Sequence, residues 1–509
     1  MEINREPFEA LLSTKDGTPI LVPCSLRVSM LSWKAQGGCE RAQLDLENVP
    51  GSFSQWSELI GKSVRVYNRF GSLVWWGFVQ SAAREEGAFA LSRSLADLAN
   101  RVAVRYTELQ PQGESFGMEK QTDWAQDAQS AAVYGQKDLL LERGLMAESA
   151  ALQLRDLTLA RLAEPAARLS LRAGGMNKPD KREEGTGAAI RLECLGWYAR
   201  LGWRVVQPPI GVLGNASAQQ GSQSLGNTSS YQRLAQSFIT DSSALVPVQA
   251  QTRVRRYGSP TDSLKVALQA DNGSGSPSGV DLASTTITGA SLAAEAYPWT
   301  VFTFSAPPQL LANTTYWLVL TRTGAVSAAN YYLLAVDEKL SYPAGTFKTY
   351  NGSVWAARSV PADLLFKLSA VWQSTDLLLD AAGLLLDDPF SRVSVECESG
   401  VYLSPPSDGL QPVDRFAQSL LDLGTDRLTA LVCAVDPQLA LVFSERSAAQ
   451  EAETWTLNTD TGLQKPGGER YLPGEHPVGA WLRCGENAPI FITRAQISAP
   501  DWSPRLASD

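Results

Sequence analysis

The sequence predicts a mostly β protein in which an antiparallel β-sandwich interrupts a β-rich host region. Three observations predict this class. Short runs rich in β-branched and aromatic residues recur along most of the chain, and turns of Gly, Pro, Asn and Ser separate them. A polar linker without hydrophobic periodicity begins near Pro208 and Pro209. After residue 372 the sequence returns to the character that it has before this linker.

The first part of the host region is predicted to contain a β-domain followed by helices. Within residues 1–110, two β-rich runs between Lys62 and Gln80 flank a Gly-containing loop, which is typical of a hairpin. Residues 111–165 are rich in Ala, Leu, Gln and Arg and poor in β-branched residues, which favours helix. Pro165 ends this run, so we expect a helical connector here.

The rest of the chain is predicted to contain a second host domain in two segments. Residues 166–212 form its first segment and residues 373–509 its second, while residues 213–372 form the inserted sandwich. The second segment includes one amphipathic helix. Its apolar face is predicted to carry Val413, Phe416, Leu420 and Leu423.

Composition restricts the chemistry that this chain can perform. Charged residues make up 19% of it and the formal net charge is −9, which argues against a dedicated nucleic-acid-binding protein. His476 is the one histidine, and no G-x-S-x-G motif accompanies it, so neither a His-rich metal site nor a serine triad is expected. The six cysteines have no CxxC spacing, and most lie in apolar runs where we expect burial. We therefore expect no enzyme activity and no cofactor.

Two kinds of acidic site remain as alternatives. Adjacent acidic residues could serve glycoside hydrolysis, but neighbours on a strand point to opposite faces, so a polysaccharide-degrading enzyme is the least favoured function. These pairs are Asp337 with Glu338, Asp387 with Asp388, and Glu85 with Glu86. A Gly-rich turn flanked by Asp271, Asn272 and Asp281 could bind calcium through oxygen atoms. Because Asx residues in such turns usually bond to their own backbone, we expect no metal.

Aromatic residues supply the remaining candidate binding sites. In the predicted sandwich, Tyr342, Tyr350 and Trp355 lie in loop-like sequence. Their flat apolar faces could stack on sugar rings or anchor a protein, and packing on the sheet is the alternative. In the host region, Trp75 and Trp76 are neighbours on one predicted strand and must point to opposite faces. We expect one of them in the core and the other at a subunit interface.

Three segments of the host region resemble tailed-bacteriophage minor tail proteins of the baseplate-hub type. They are SVRVYNRFGSLVWWGFV at 63–79, IRLECLGWYARLGWRVV at 190–206, and VGAWLRC with APIFITRAQ near the end. The resemblance covers most of residues 1–210 and 373–500. It implies two hub-like β-barrel domains in a homotrimer that continues a six-fold tail tube. It also implies a structural protein of the virion tail tip, made in the host cytoplasm, with other phage tail proteins as partners.

Residues 225–371 resemble a jelly-roll module of the kind that recurs in viral tail proteins and bacterial surface proteins. This resemblance supports a second function, in which the chain recognises a host-surface glycan and the host region is a tail scaffold. The N-terminal residues have no apolar run typical of a secretory signal, and apolar stretches fall short of the ~20 residues that a membrane span needs. We therefore expect no membrane span.

Overall fold

The computed structural model describes residues 7–50, 53–86, 89–108, 119–171, 189–208, 212–241, 244–358, 360–397, 400–404, 409–425, 429–446, 454–458, 462–466, 480–484, 490–498 and 505–508. The chain divides into two compact units. Unit 1 consists of Met1–Val206, Ala381–Glu398 and Gln411–Asp509, and unit 2 consists of Gln207–Asp380 and Ser399–Leu410. Strands dominate both units, which confirms the prediction of a mostly β fold.

The first part of unit 1 consists of strands, two α-helices and two 3-10 segments. Its first strands are β1 (Phe8–Ser13), β2 (Pro19–Ile20), β3 (Ser25–Lys34), β4 (Gly38–Glu47), β5 (Ser63–Asn68), β6 (Leu73–Glu86), β7 (Phe89–Ser94), β8 (Arg101–Glu108), β9 (Glu119–Gln121), β10 (Ala125–Gln126), β11 (Asp138–Met146), β12 (Ala167–Leu171), β13 (Ala189–Gly196) and β14 (Val205–Val206). Its first helices are α1 (Ala128–Tyr134) and α2 (Glu148–Leu162), and 3-10 segments span Gln55–Leu59 and Trp197–Trp203.

Unit 2 contains the next strands. They are β15 (Val212–Asn215), β16 (Gly221–Leu225), β17 (Arg233–Ile239), β18 (Val246–Tyr257), β19 (Ser263–Asp271), β20 (Pro277–Thr288), β21 (Trp299–Thr303), β22 (Thr315–Arg322), β23 (Tyr331–Asp337), β24 (Phe347–Tyr350), β25 (Trp355–Ala357), β26 (Asp363–Leu364) and β27 (Phe366–Gln373). Short 3-10 segments span Ser229–Tyr231 and Gly289–Ser291, and α3 (Ser374–Gly383) follows β27.

The remaining elements follow α3. They are β28 (Arg392–Glu396), β29 (Tyr402–Leu403), β30 (Gln411–Pro412), α4 (Val413–Leu421), β31 (Leu431–Val435), β32 (Ala440–Glu445), β33 (Trp455–Asn458), β34 (Gly462–Gln464), β35 (Trp481–Cys484), β36 (Ile490–Ser498) and β37 (Arg505–Ser508). Among these, β29 belongs to unit 2 and pairs with β27.

One large sheet forms the centre of unit 1. Its strands run in the order β2-β1-β5-β6-β13-β4-β3-β36-β35-β33-β34, with β7 and β12 attached to β6 and β37 attached to β36. Alternate residues of β4 and β13 are buried, as expected for strands with one covered face. Because β1 also lies close to β3, the sheet curls. Strands from both sides of the inserted unit therefore form one sheet.

The strand order differs from the predicted arrangement of the host region. Residues 1–110 and 166–212 were expected in two domains, but β13 lies between β6 and β4 in the same sheet. The expected helical connector also contains a strand, β11, which pairs in parallel with β8. Val102, Ala103 and Val104 of β8 are buried, so pairing with an interior strand overrides the helix-favouring composition of β11.

Local sequence signals explain where α1 begins and which face of α4 is buried. The Asp127 carboxylate accepts a hydrogen bond from the Ser130 N–H (2.9 Å) and caps α1. On α4, Val413, Phe416 and Leu420 are buried as predicted. Leu423 lies beyond the end of α4 and is 46% exposed, so its predicted place on the apolar face is wrong.

Unit 2 consists of two antiparallel sheets that pack face to face. The eight-stranded sheet has β15-β27-β18-β23-β16 as its main path, and the six-stranded sheet has the order β20-β19-β22-β17-β24-β25. The Phe238 and Phe366 rings, one from each sheet, lie 6.4 Å apart. The Gln236 side-chain oxygen accepts a hydrogen bond from the Leu364 N–H (2.8 Å), which links the sheets through a buried polar contact.

Two further predictions concern burial and membranes. Cys39, Cys194 and Cys433 are buried as expected, whereas Cys24 and Cys397 are only partly buried. Each helix in the described part of the chain is too short or too polar to cross a bilayer.

Candidate functional site

The outer face of unit 2 is the side of the six-stranded sheet that points away from the eight-stranded sheet. Gln236 and Phe238 of β17 contact Leu364 and Phe366 of the eight-stranded sheet, so they point inward and the alternate residues of β17 point outward. Strand registers then align outward residues across neighbouring strands. Arg233 lies opposite Tyr350, and Tyr350 lies opposite Trp355.

The aromatic pair of Tyr350 and Trp355 stands on the hairpin of β24 and β25. The four residues between these strands form a turn in which the Asn351 side chain accepts hydrogen bonds from the Ser353 and Val354 N–H groups (3.0 Å each) and Gly352 has φ +99°. The two rings lie 5.1 Å apart at 44°, and both side chains are half-buried. The pair therefore keeps part of its aromatic surface open to solvent beside a hydrogen-bonded turn.

Buried residues of the outer face pack against the aromatic pair. Trp355 packs against Ala235, Trp317 and Val319, which form a small core on the outer face. Trp317 is only 1% exposed, and its indole N–H donates to an Asp271 oxygen (2.9 Å). Trp317 is thus unable to stack on a ligand, but it fixes the position of Trp355.

A cleft of roughly 780 Å³ borders the same face. Ile239 and Leu311 give it an apolar side, and Thr315 gives it a hydroxyl. Lys348 also lines the cleft, and its ammonium donates to the Gly275 carbonyl, which holds the neighbouring turn against β24.

Asp271 and Asn272, the first two calcium candidates, accept hydrogen bonds from N–H groups of their own turn. Asp271 accepts hydrogen bonds from the Gly273 N–H (2.7 Å) and the Gly275 N–H (3.2 Å) in addition to the Trp317 indole. Burial alone would raise the pKa of Asp271, but these hydrogen bonds outweigh it and lower the pKa. Asn272 accepts from two N–H groups of the same turn. Both residues therefore form the Asx turns that the composition of this segment favours.

Asp281, the third calcium candidate, has different partners. It pairs with the Lys265 ammonium (2.5 Å) and accepts a hydrogen bond from the Gln269 amide (2.8 Å). In the described part of the chain, no group of three or more His, Cys, Asp or Glu side chains is arranged to hold a metal ion.

Tyr342 lies apart from the aromatic pair. Its ring meets Phe366 edge-on at 5.4 Å, so it packs against the core of the sandwich. Burial, together with the nearby carboxylates of Asp241 and Asp363, raises the pKa of Tyr342 to about 12. Of the three aromatic candidates, the structure thus brings together Tyr350 and Trp355 only.

The tryptophans of β6 have distinct environments. Trp75 is fully buried, and its indole N–H donates to the Ser32 carbonyl (3.3 Å). Trp76 is half-buried, and its indole N–H donates to the Val435 carbonyl of β31 (3.1 Å). Trp75 is therefore a core residue, and the C-terminal part of unit 1 itself covers part of Trp76.

The candidates for catalysis do not converge. Buried Asp337 accepts hydrogen bonds from its own loop, Glu338 pairs with Arg358 (3.2 Å), and Asp388 pairs with Lys15 (3.3 Å). Burial raises the pKa of the Cys39 thiol to about 12, which disfavours a reactive thiolate. His476 lies outside the described residues, as does the side chain of Glu86.

Arg233 is a residue of the outer face that sequence reasoning missed. Its guanidinium carbon lies 5.2 Å from the centre of the Tyr350 ring. Only the register of β17 with β24 brings these residues together, because they lie far apart in the sequence. The segment RLAQSFI does not alternate apolar and polar residues, so it gives no local signal that Arg233 lies on the outer face.

Comparisons with known proteins supply little further information. No family model and no curated protein matches the chain. Among solved structures, the functional form of the mosquito-larvicidal Cry4Aa toxin from Bacillus thuringiensis matches with 8% identity and a TM-score of 0.16, over 61% of this chain and 51% of that chain. The insecticidal delta-endotoxin Cry8Ea1 from Bacillus thuringiensis matches with 8% identity and a TM-score of 0.12, over 62% of this chain and 53% of that chain. The chain spans about half the length of both toxins, and the likeness carries no argument at these TM-scores.

Proposed function

We propose that this chain is a structural protein of a phage tail tip, of the baseplate-hub type, which assembles through unit 1 and displays unit 2. One observation carries the proposal. The segments that resemble hub proteins supply β5, β6, β13, β14, β35 and β36. Five of these six strands belong to the one large sheet of unit 1, and β14 pairs with β30 from the other side of the insertion. Because segments from both sides of the insertion build one sheet, unit 1 is suited to connect neighbouring tail proteins while the chain also carries unit 2.

The proposed mechanism is association rather than turnover. Copies of unit 1 bind one another and neighbouring tail proteins in the virion, in a trimer as the sequence resemblance implies. Burial of apolar area supplies the free energy of association at about 25 cal/mol per Å², less the cost of the translational and rotational freedom that is lost. No observation favours a polysaccharide-degrading enzyme, since Asp337, Glu338 and Asp388 are each engaged with other partners.

Two measurements test this proposal. Light scattering of the full chain is expected to give the mass of a trimer. Electron microscopy of the phage, labelled with an antibody against unit 2, is expected to place the label at the tail tip. A monomer at every concentration, or particles without label, would contradict the proposal.

A second candidate function is recognition of a host-surface glycan by unit 2. The half-buried pair of Tyr350 and Trp355, held on a hydrogen-bonded turn, favours it, because such rings can stack on sugars. Trp355→Ala is expected to abolish binding to a glycan array. Tyr257→Ala is the matched control, since Tyr257 also belongs to an exposed aromatic pair, with its ring 4.6 Å from that of Tyr331. Equal loss of binding in both variants would argue against a site at Trp355.

A further inference from the structure

Arg233 differs from the other arginines of unit 2. In the described part of the chain, its guanidinium makes no ion pair and no hydrogen bond, and its contact is with the Tyr350 ring. The other arginines of the unit all donate hydrogen bonds to carbonyl or side-chain oxygens: Arg253, Arg255, Arg256, Arg322 and Arg358. Arg233 thus presents a planar fork of unused donors beside the aromatic pair.

The geometry of the sheet aligns this fork with the aromatic surface. Arg233, Tyr350 and Trp355 occupy one row across β17, β24 and β25. Adjacent strands lie about 4.8 Å apart, so the row from Arg233 to Trp355 spans about 10 Å, which a short oligosaccharide can cover. The Tyr350 hydroxyl donates to the Gly352 carbonyl (3.0 Å), which holds the central ring of the row in place.

Charge determines the class of ligand. An arginine fork binds a carboxylate through two parallel hydrogen bonds, a geometry that a neutral hydroxyl cannot match. Lys348 lies one row away on the same face, opposite Ala235, but the Gly275 carbonyl and the Ser276 hydroxyl accept hydrogen bonds from its ammonium, and its charge acts on the nearby Asp271 carboxylate. Arg233 is therefore the cation that is open to a ligand beside the aromatic pair.

We infer that the outer face of unit 2 binds an acidic saccharide, with a sugar ring stacked on Trp355 and a sugar carboxylate held by the Arg233 guanidinium, which lies over the Tyr350 ring. The inference rests on the second candidate function, glycan recognition, and adds to it the class of sugar and the residue that selects it. The hub function of unit 1 is independent of it.

A glycan array tests the inference with the full chain. The array carries sialic-acid and uronic-acid glycans beside their carboxyl-reduced counterparts, together with sulfated glycans. The unchanged chain is expected to bind carboxylated glycans at least tenfold more tightly than the reduced ones. Arg233→Gln is expected to remove this preference while leaving the weaker binding to neutral glycans, whereas Trp355→Ala removes binding to both.

Two further variants test whether the preference depends on the guanidinium group itself and whether it is specific to Arg233. Arg233→Lys keeps the charge but loses the fork, and it is expected to lose most of the preference. Arg255→Gln is the matched control, because Arg255 also lies 5.2 Å from a tyrosine ring, that of Tyr297, and away from the row. Thermal unfolding of each variant checks that unit 2 remains folded.

The possible results separate this inference from the function on which it rests. Equal binding of acidic and reduced glycans would overturn the inference and leave glycan recognition standing. Binding of sulfated glycans alone would overturn the carboxylate assignment. A chain that binds no glycan on the array would overturn both the inference and glycan recognition.

Discussion

At the scale of single residues, the Asp138 carboxylate joins three parts of unit 1. Its side chain is fully buried and pairs with Arg101 on β8 (3.3 Å) and with Arg204 beyond the Trp197–Trp203 segment (3.2 Å). It also accepts a hydrogen bond from the Val205 N–H (3.1 Å). A buried carboxylate with several donors is costly to disturb, because the donors lose their common partner.

Asp138→Ala is expected to lower the free energy of unfolding of unit 1 by about 3–5 kcal/mol, since it leaves two partly buried arginines without their carboxylate. Hydrogen exchange of peptides from β8 and β11 measures the loss. Asp45→Ala is the control, because the Asp45–Arg191 pair is exposed and is expected to contribute less than about 1 kcal/mol. Similar losses in the two variants would show that Asp138 has no special role.

Asp337 gives unit 2 a dependence on pH. Burial alone would raise the pKa of this carboxyl, but hydrogen bonds from the Lys339 and Ser341 N–H groups and the Ser217 hydroxyl outweigh it and lower the pKa. A carboxyl with a lowered pKa in the folded state stabilises that state above its unfolded pKa. This contribution is lost as the pH falls toward the folded pKa.

We expect the unfolding temperature of unit 2 to fall steeply as the pH is lowered from about 5 to about 2. In Asp337→Asn, the unit is expected to be less stable at pH 7 and to change less over this range, because the titrating carboxyl is gone. Calorimetry across the pH series makes the comparison. Parallel curves for the two proteins would exclude Asp337 as the source.

At the scale of elements, unit 1 depends on the close approach of neighbouring strands around β13. Gly196 ends β13, and a Cβ atom added there would lie 1.8 Å from the backbone oxygen of Cys39 on β4. A Cβ atom at Gly77 on β6 would lie 2.1 Å from the Leu195 backbone oxygen. In both cases the nearest atom belongs to the backbone of a neighbouring strand and cannot move aside as a flexible side chain could. Glycine is therefore required at positions 77 and 196.

Gly196→Ala is expected to destabilise unit 1 by about 3 kcal/mol or more, because β13 and β4 must separate to admit the methyl group. Gly144→Ala on β11 is the control, since a Cβ atom there has nothing within 4 Å and the change is expected to be nearly neutral. Urea unfolding followed by circular dichroism compares the variants. An unchanged midpoint for Gly196→Ala would show that the strands can separate without cost.

At the scale of the whole molecule, the two units differ in how the chain builds them. Unit 1 needs segments from both sides of the insertion, since β36 pairs with β3, and α4 packs on the Trp197–Trp203 segment. Unit 2 is complete before residue 411. The two units are therefore expected to unfold in separate transitions.

Truncation of the chain after Leu410 is expected to remove the transition of unit 1 and to retain that of unit 2. The reason is that β3 loses its partner β36, and the sheet of unit 1 loses one end. Scanning calorimetry of the full and truncated chains counts the transitions. Retention of both transitions would mean that Gln411–Asp509 does not support unit 1.

The sequence by itself determined the features that depend on neighbouring residues. Alternation and turn composition predicted a mostly β chain with an inserted sandwich, and apolar spacing predicted that Val413, Phe416 and Leu420 of α4 are buried. Tyr350 and Trp355 were expected in loops, but they lie on the paired strands β24 and β25. Only the tertiary structure decided the place of β13 between β6 and β4, the strand conformation of β11, and the position of Arg233 beside the aromatic pair. Strand partners come from distant parts of the chain, and a shift of one residue in register moves every side chain to the opposite face, so local patterns leave these choices open.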